Sequence, residues 1–263
     1  MCYLVALITI VFHYLPIYRK KDINMQEIQH SLQLAFVMIG SFDRDLVEIV
    51  MLSLAVSLTA VVISLVLGLP LGAAIAMSHF RGRGALIVFS NALMGLPPVV
   101  VGLLVYLALS RSGPLGVFNL LYTPWAMIIA QAVLVTPLVT ALTREIIEQL
   151  DSEYAEYLSS LAISAPGRLR TLLWDGRFNL ATVSLAGFGR AIAEVGAVMV
   201  VGGNIDHLTR VMTTAIALET SKGNLELALA LGVVLMLLAL GVNLVIALVR
   251  PVDAAKQRQP VFR

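Results

Sequence analysis

Long apolar runs alternate with short charged islands along the chain. Residues 46–77, 85–109, 124–143, 178–203 and 225–249 are built mostly of Val, Leu, Ile, Ala and Gly and carry very few charges. A helix needs roughly 20 such residues to cross the hydrocarbon of a bilayer. The runs are too long for barrel strands and lack the strict alternation of a barrel wall. The pattern therefore predicts an all-α integral membrane protein with five core transmembrane helices. An N-terminal helical extension precedes them. Residues 1–18 are apolar up to Pro16, and Arg19, Lys20 and Lys21 follow rather than precede that run. A signal peptide has the opposite order, so the segment reads as an uncleaved extra helix. Residues 22–42 read as a surface helix with Ile28, Leu32, Ala35 and Phe36 on one side, stopped by Asp43, Arg44 and Asp45, with Asp45 as its neighbour's cap. The domain division is 1–44 for the extension, 45–250 for the transmembrane domain and 251–263 for a tail.

Breaks within the apolar runs mark where a solute path could form. Gly68, Pro70 and Gly72, late in the first run, predict either a kink or a close helix contact. In the second, Gly95, Pro97, Pro98 and Gly102 stand close together. Two adjacent prolines remove two amide donors, so the helix must bend or break, and the freed carbonyls need protein or water beside them. Broken helices of this kind build sites and gates in transporters. Pro97, Pro98, Thr136, Gly196 and Asn204 are the candidate gate or path residues. Arg190 and Glu194 lie four apart inside the fourth run, which puts them on one helical face as an ion pair. That pair is either purely structural or part of the path. Gly189 and Gly196 are seven apart, a spacing that would let two helices approach across a twofold axis. Between the fourth and fifth runs, Met212–Leu218 predicts a re-entrant or surface helix ending near Gly223.

The charged stretch 144–177 holds Arg144, Arg168, Arg170 and Arg177 among six acidic residues, and cannot lie in hydrocarbon. Leu150, Tyr154, Leu158 and Leu161 recur at helical spacing, with Asp151 and Glu153 at a candidate start and Pro166–Gly167 as the break before a second helix. The stretch is either a plain connector or a docking helix. Its apolar side exceeds what a connector needs, so Glu153, Tyr154, Glu156, Tyr157, Leu158, Leu161 and Arg168 are candidate contacts for a soluble partner. With this stretch in the cytoplasm, the loop at 79–83 and the tail from Arg250 fall on the same side, as the positive-inside tendency requires.

Composition narrows the function. Hydrophobic residues make up 59% and charged residues 13%, about half the ~25% of a soluble domain. The net charge is +2, with no basic arm for nucleic acid. A single cysteine, Cys2, excludes an internal disulfide. The four histidines are scattered, and no phosphate loop, HExxH or GxSxG occurs. Active transport would need energy from another polypeptide.

Glu156-Tyr157-Leu158, three residues and then Ala162 resembles the cytoplasmic signature of ATP-binding-cassette importer permeases, which usually reads Glu-Ala-Ala, three residues, Gly. Leu172, Trp174 and Asp175 occupy the places of its downstream apolar and proline positions. Gly187-Phe188-Gly189-Arg190-Ala191-Ile192-Ala193-Glu194-Val195-Gly196-Ala197, with Val201-Gly202-Gly203-Asn204-Ile205 after it, resembles the molybdate and tungstate branch, tungstate most of all. The resemblance covers about residues 45 to 250. It implies a type I importer transmembrane domain in the cell membrane with a cytoplasmic C-terminus. It further implies a second copy of the chain, two ATPase subunits that bind ATP and magnesium, and an extracytoplasmic oxyanion-binding protein. It adds Ala162 to the coupling set, and it implies no cofactor on this chain. Another oxyanion permease and an ion-coupled secondary transporter are the alternatives; the latter should show an inverted repeat with matching broken helices, and none is evident.

Overall fold

The computed structural model describes residues 25–78, 80–161 and 163–249. The regular elements there are helical: α1 (Met25–Gly40), α2 (Arg44–Met77), α3 (Arg83–Met94), α4 (Pro98–Leu109), α5 (Pro124–Glu153), α6 (Ala155–Ser160), α7 (Ala165–Asp175), α8 (Arg177–Ile192), α9 (Gly196–Gly202), α10 (Met212–Lys222) and α11 (Leu225–Val249), with a 3-10 turn at Gly116–Phe118. The sequence expectations for residues 1–18, His79, Ala162 and the tail from Arg250 concern positions outside the described residues.

Helices α2, α5 and α11 are long and apolar enough to cross a membrane unbroken. The second and fourth expected spans are each two helices. α3 and α4 meet at 98°, and α8 and α9 at 57°. Five spans result when each bent pair is counted as one. The break between α8 and α9 is a departure from the sequence expectation, which had 178–203 as a continuous helix.

The centre of the fold is α5. Within its apolar window 67% is buried, against 11% for α11, so α5 is enclosed by protein while α11 faces outward. α2 lies against it along much of its length. Lipid tails are as apolar as leucine, so such helices gain from tight contact rather than from escape from water. The contact is tight where glycines stand. A Cβ on Gly68 would lie 2.8 Å from Val139 Cγ1, and one on Gly72 only 2.5 Å from the Thr140 carbonyl oxygen. The glycines thus serve close approach to α5, one of the two sequence readings, and α2 continues as helix through Pro70.

On the other side of α2, Ala35 of α1, Leu46 and Ile49 of α2, Ile192 of α8, Met212 and Ala215 of α10, and Ala230 and Leu231 of α11 form a shared core. Ser53 Oγ accepts a 2.7 Å bond from the Met212 N–H, fixing the start of α10 to α2. Gly223, at φ 80°, ends α10 where the sequence placed its stop. Asp43, rather than Asp45, caps α2: its carboxylate accepts from the amides of Asp45 and Leu46 at 3.1 and 3.2 Å. Asp45 instead supplies an acidic residue to the first turn.

Candidate functional site

Two regions carry the chemistry, one at the charged C-terminal end of α5 and one at the breaks in the spans. At the first, α5 continues beyond residue 143 to Glu153, so the charged stretch begins as an extension of the central helix and not as a new helix at Asp151. Tyr154 closes α5 by donating its N–H to the Leu150 carbonyl at 3.0 Å. α6 follows at once. Pro166 sits in the first turn of α7, where a missing amide costs nothing. The reversal therefore falls before it, at 161–164, and Pro166–Gly167 start a helix instead of ending one.

This region is braced from within. Leu158 of α6 is 3% exposed and packs with Ala76, Ile147 and Leu172. Arg168 pairs with Asp151. The Tyr154 hydroxyl donates to Asp175 Oδ2 at 2.7 Å, and that bond holds the phenol above its usual 10.0. Glu148 receives both Arg83 and Arg144, the latter at 2.7 Å, and Arg83 Nε donates to the Ile75 carbonyl at 3.0 Å. Glu148 thereby joins the start of α3 to α5. Its replacement by Gln leaves two guanidiniums without their counter-charge, and a loss of about 1–3 kcal/mol is expected, read as a lowered melting temperature of the detergent-solubilised chain; an unchanged melting curve would contradict the brace.

The expected docking residues separate into two sets. Tyr154, Leu158 and Arg168 are spent on the brace. Tyr157, 66% exposed, and Leu161, 53% exposed, point outward, as do Glu153 and Glu156. Ala162 lies outside the described residues.

At the second region, α8 ends at Ile192, and Glu194 lies in the break. Three contacts from the side chains around it satisfy backbone groups at the break. Gln131 Nε2 of α5 donates to the Ala191 carbonyl at 3.1 Å. Thr213 of α10 donates to the Glu194 carbonyl at 2.8 Å. Glu194 Oε1 accepts from the Ala197 amide at 3.2 Å. This is how non-helical backbone is tolerated at membrane depth. Arg190 Nη1 lies 3.4 Å from Glu194 Oε2, so the expected pair forms, but across a helix end and not along a continuous face.

The two breaks lie side by side. A Cβ on Gly102 would fall 2.7 Å from Ala197 Cα, and one on Gly196 would fall 2.6 Å from Val99 Cγ2. α4 therefore rests on α9. Gly196 faces α4, while Gly189 has open space beside it; the two stand on different helices, α9 and α8. Pro97 precedes α4 as its N-cap and Pro98 is its first residue, so the prolines begin a helix at a sharp corner. Thr136 turns its hydroxyl to the Ala132 carbonyl at 2.7 Å and borders an apolar cavity of about 400 Å³ with Leu71, Phe89, Pro137 and Thr140. Asn204, at φ 51°, accepts from Thr214 Oγ1 at 2.9 Å and clamps the loop after α9 to α10. Its side chain is occupied there.

Residues 68–252 match the family described as binding-protein-dependent transport system inner membrane component. The chain belongs to that family. The match takes in both broken spans and the brace at the end of α5. The chain is 41% identical, over 75% of its length and 88% of the relative's, to a probable anion ABC transporter permease protein of Haloferax volcanii. It is 40% identical, over 84% of its length and 97% of the relative's, to the tungstate uptake system permease protein of Peptoclostridium acidaminophilum. It is also 28% identical, over 69% of its length and 83% of the relative's, to a putative molybdenum transport system permease protein of Bacillus subtilis. The fold is accordingly that of an all-α type I ABC importer membrane domain, and the chain is a multi-pass membrane permease.

Sequence reasoning missed Glu148 and Gln131 as organising groups of this permease. Arg144 four residues before Glu148 was the available signal for one. For Gln131 the only signal was an amide side chain in an otherwise apolar run. It also missed His207, whose Nδ1 lies 3.1 Å from Glu48 Oε2. That hydrogen bond, with the charges of Glu48, Asp206 and Asp45, holds the imidazole above its ordinary 6.5. The folded value exceeds the unfolded one, so the pair contributes fully below pH 6.5 and its contribution is lost as pH rises through the raised value. A small fall in melting temperature from pH 6.5 upward is expected, and His207→Gln should remove that slope; an identical slope in the variant would contradict the pairing.

Proposed function

We propose that this chain is the permease subunit of an ATP-driven oxyanion importer, with tungstate as the substrate and molybdate as the next alternative. The observation that carries the reading is the 40% identity to a tungstate uptake permease across 97% of that protein. The molybdenum permease stands at 28%, which favours tungstate. Two copies of the chain form the path, because five spans with one docking helix supply half of a twofold pore. A separate ATPase binds the outward set on α6 and at its two ends, namely Glu153, Glu156, Tyr157 and Leu161, together with Ala162, which follows them in sequence. The brace of Tyr154, Leu158 and Arg168 supports this reading, because it ties α6 and α7 to the end of α5. Closure of the ATPases on ATP and magnesium pushes α6, and α5 passes the displacement to α2, which it contacts along its length, and to the broken spans. An extracytoplasmic binding protein delivers the anion at the opposite face. The C-terminal tail then lies in the cytoplasm with the charged stretch. Pro97, Pro98 and Gly196 stand at the corners of the broken spans, where a gate would move.

Uptake in proteoliposomes tests this. With the ATPase enclosed and the loaded binding protein outside, radiolabelled tungstate accumulates only with ATP, and a comparable excess of molybdate competes less well than unlabelled tungstate. Accumulation without nucleotide would overturn the ATP-driven reading, and equal competition by molybdate would overturn the substrate ranking.

A further inference from the structure

Arg190 is the one cationic residue within the five apolar runs. It follows Arg177 by thirteen residues, about 20 Å of helix at 1.5 Å per residue. A charge at that depth must face protein or a wet path, because facing lipid is costly. Its environment is lopsided. The Arg190 side chain is 40% exposed while that of Glu194 is 5% exposed. Their contact, 3.4 Å, is looser than Arg144–Glu148 or Arg210–Asp206, both at 2.7 Å. Among the described residues the guanidinium makes no other ion pair, although it has five N–H donors in a planar fork. A purely structural pair would close to the usual 2.7–2.9 Å of a charge-assisted bond. Glu194 is held in place by α9 through Ala197 N–H, whereas Arg190 belongs to α8. Any change in the bend between α8 and α9 therefore changes the distance between guanidinium and carboxylate. Gln131, Leu134 and Val135 of α5 line the same recess as Arg190 and Glu194, and Val99 of α4, Val195 in the break and Met199 of α9 are apolar and exposed.

We propose that Arg190 is the transient docking point for the tetrahedral oxyanion within the membrane, and that Glu194 is the internal anion that competes for the guanidinium and releases it. The inference rests on the oxyanion reading above. The planar fork matches two oxygens of a tetrahedral dianion as it matches a carboxylate. One guanidinium with a competing carboxylate 3.4 Å away holds the anion briefly. That is what transit requires, since a fixed cluster of cations would trap it. The bend between α8 and α9 sets which anion the guanidinium meets: closing it brings Glu194 onto Arg190, and opening it leaves the donors to the solute.

The test uses the full importer, this chain with its ATPase, purified without nucleotide and without the binding protein, and radiolabelled tungstate in equilibrium dialysis. Glu194→Gln keeps an oxygen for the Ala197 amide but removes the competing charge. It should bind tungstate about tenfold more tightly, the gain when a competitor that occupies roughly nine-tenths of the sites is removed, and it should turn over more slowly in proteoliposomes with a lower KM. Arg190→Gln should lose the bound tungstate and most uptake, and Arg190→Lys should restore part of each. Wild-type uptake by Arg190→Gln in a complex with normal ATPase content would overturn the proposal. So would a Glu194→Gln complex that binds no more tightly than the wild type, and this arm decides the matter if Arg190→Gln fails to assemble. A wild-type importer that takes up neither tungstate nor molybdate would instead overturn the oxyanion reading, and this inference with it.

Discussion

Replacing Tyr157 and Leu161 together by Asp is expected to abolish capture of the ATPase while the permease itself inserts and melts as before. Both side chains are more than half exposed, and neither belongs to the core that holds α6 in place. Fully burying a side chain of this kind contributes roughly 1.5–3 kcal/mol. Two carboxylates in the same patch would add an uncompensated desolvation cost. The combined loss is therefore several kcal/mol, or on the order of a thousandfold or more in affinity. Co-purification from detergent extracts reads the result directly. Leu158→Asp is the contrast. Its side chain is buried against Ala76, Ile147 and Leu172, so a charge there should lower the yield of the permease itself. If the Tyr157 and Leu161 double variant captured the ATPase at normal yield, α6 would not be the docking helix.

The second large effect concerns the contact between α2 and α5. Gly72→Val should prevent folding of the membrane domain or lower its stability by about 3 kcal/mol or more, at the upper end of overpacking costs. The reason is that even a Cβ would lie 2.5 Å from the Thr140 carbonyl oxygen and 2.8 Å from Thr143 Cβ. A backbone oxygen on the central helix cannot swing aside as a flexible side chain does. Gly84 supplies the control, since a Cβ there meets nothing within 4 Å, and Gly84→Ala should be tolerated. Size-exclusion profiles of fluorescent fusions would compare the two; equal monodisperse yields would refute the close-contact reading.

The sequence carried the existence and order of the membrane helices because an uncharged run of twenty or more residues has few other stable fates. It located the corner at Pro97–Pro98 for a reason equally local, the loss of two amide donors. It could not locate the second break. Nothing in the run from Phe178 to Gly202 forbids a continuous helix, and what holds Ala193–Val195 out of helical geometry is tertiary: Gln131 from α5 and Thr213 from α10 satisfy the carbonyls. The same limit explains the glycines of α2. A Gly-Pro-Gly neighbourhood reads as a kink or a close contact in isolation, and the partner that decides it, α5, is almost seventy residues away.

The charged stretch 144–177 shows a similar division. Helical spacing groups Leu150, Tyr154, Leu158 and Leu161; the first three share one core, whereas Leu161 is exposed. Burial depended on Leu172 and Ala76, which arrive from other elements. Pro166 reads as the end of a helix, although proline fits the first turn equally well, and the contacts that fix α7 are tertiary: Arg168 to Asp151, Tyr154 to Asp175, and Leu172 in the shared core. At the outer edge, Asn204 was grouped with path residues for its polarity, yet its bonds to Thr214 use it as a clamp.

Cysteine labelling at position 157 tests the central claim most directly, since the sole native thiol, Cys2, can first be replaced by Ser. In intact cells a membrane-impermeant maleimide should leave Tyr157→Cys unmodified. In inverted vesicles it should react readily, and added ATPase should suppress that reaction. Modification in intact cells would place α6 outside the cell and contradict the account.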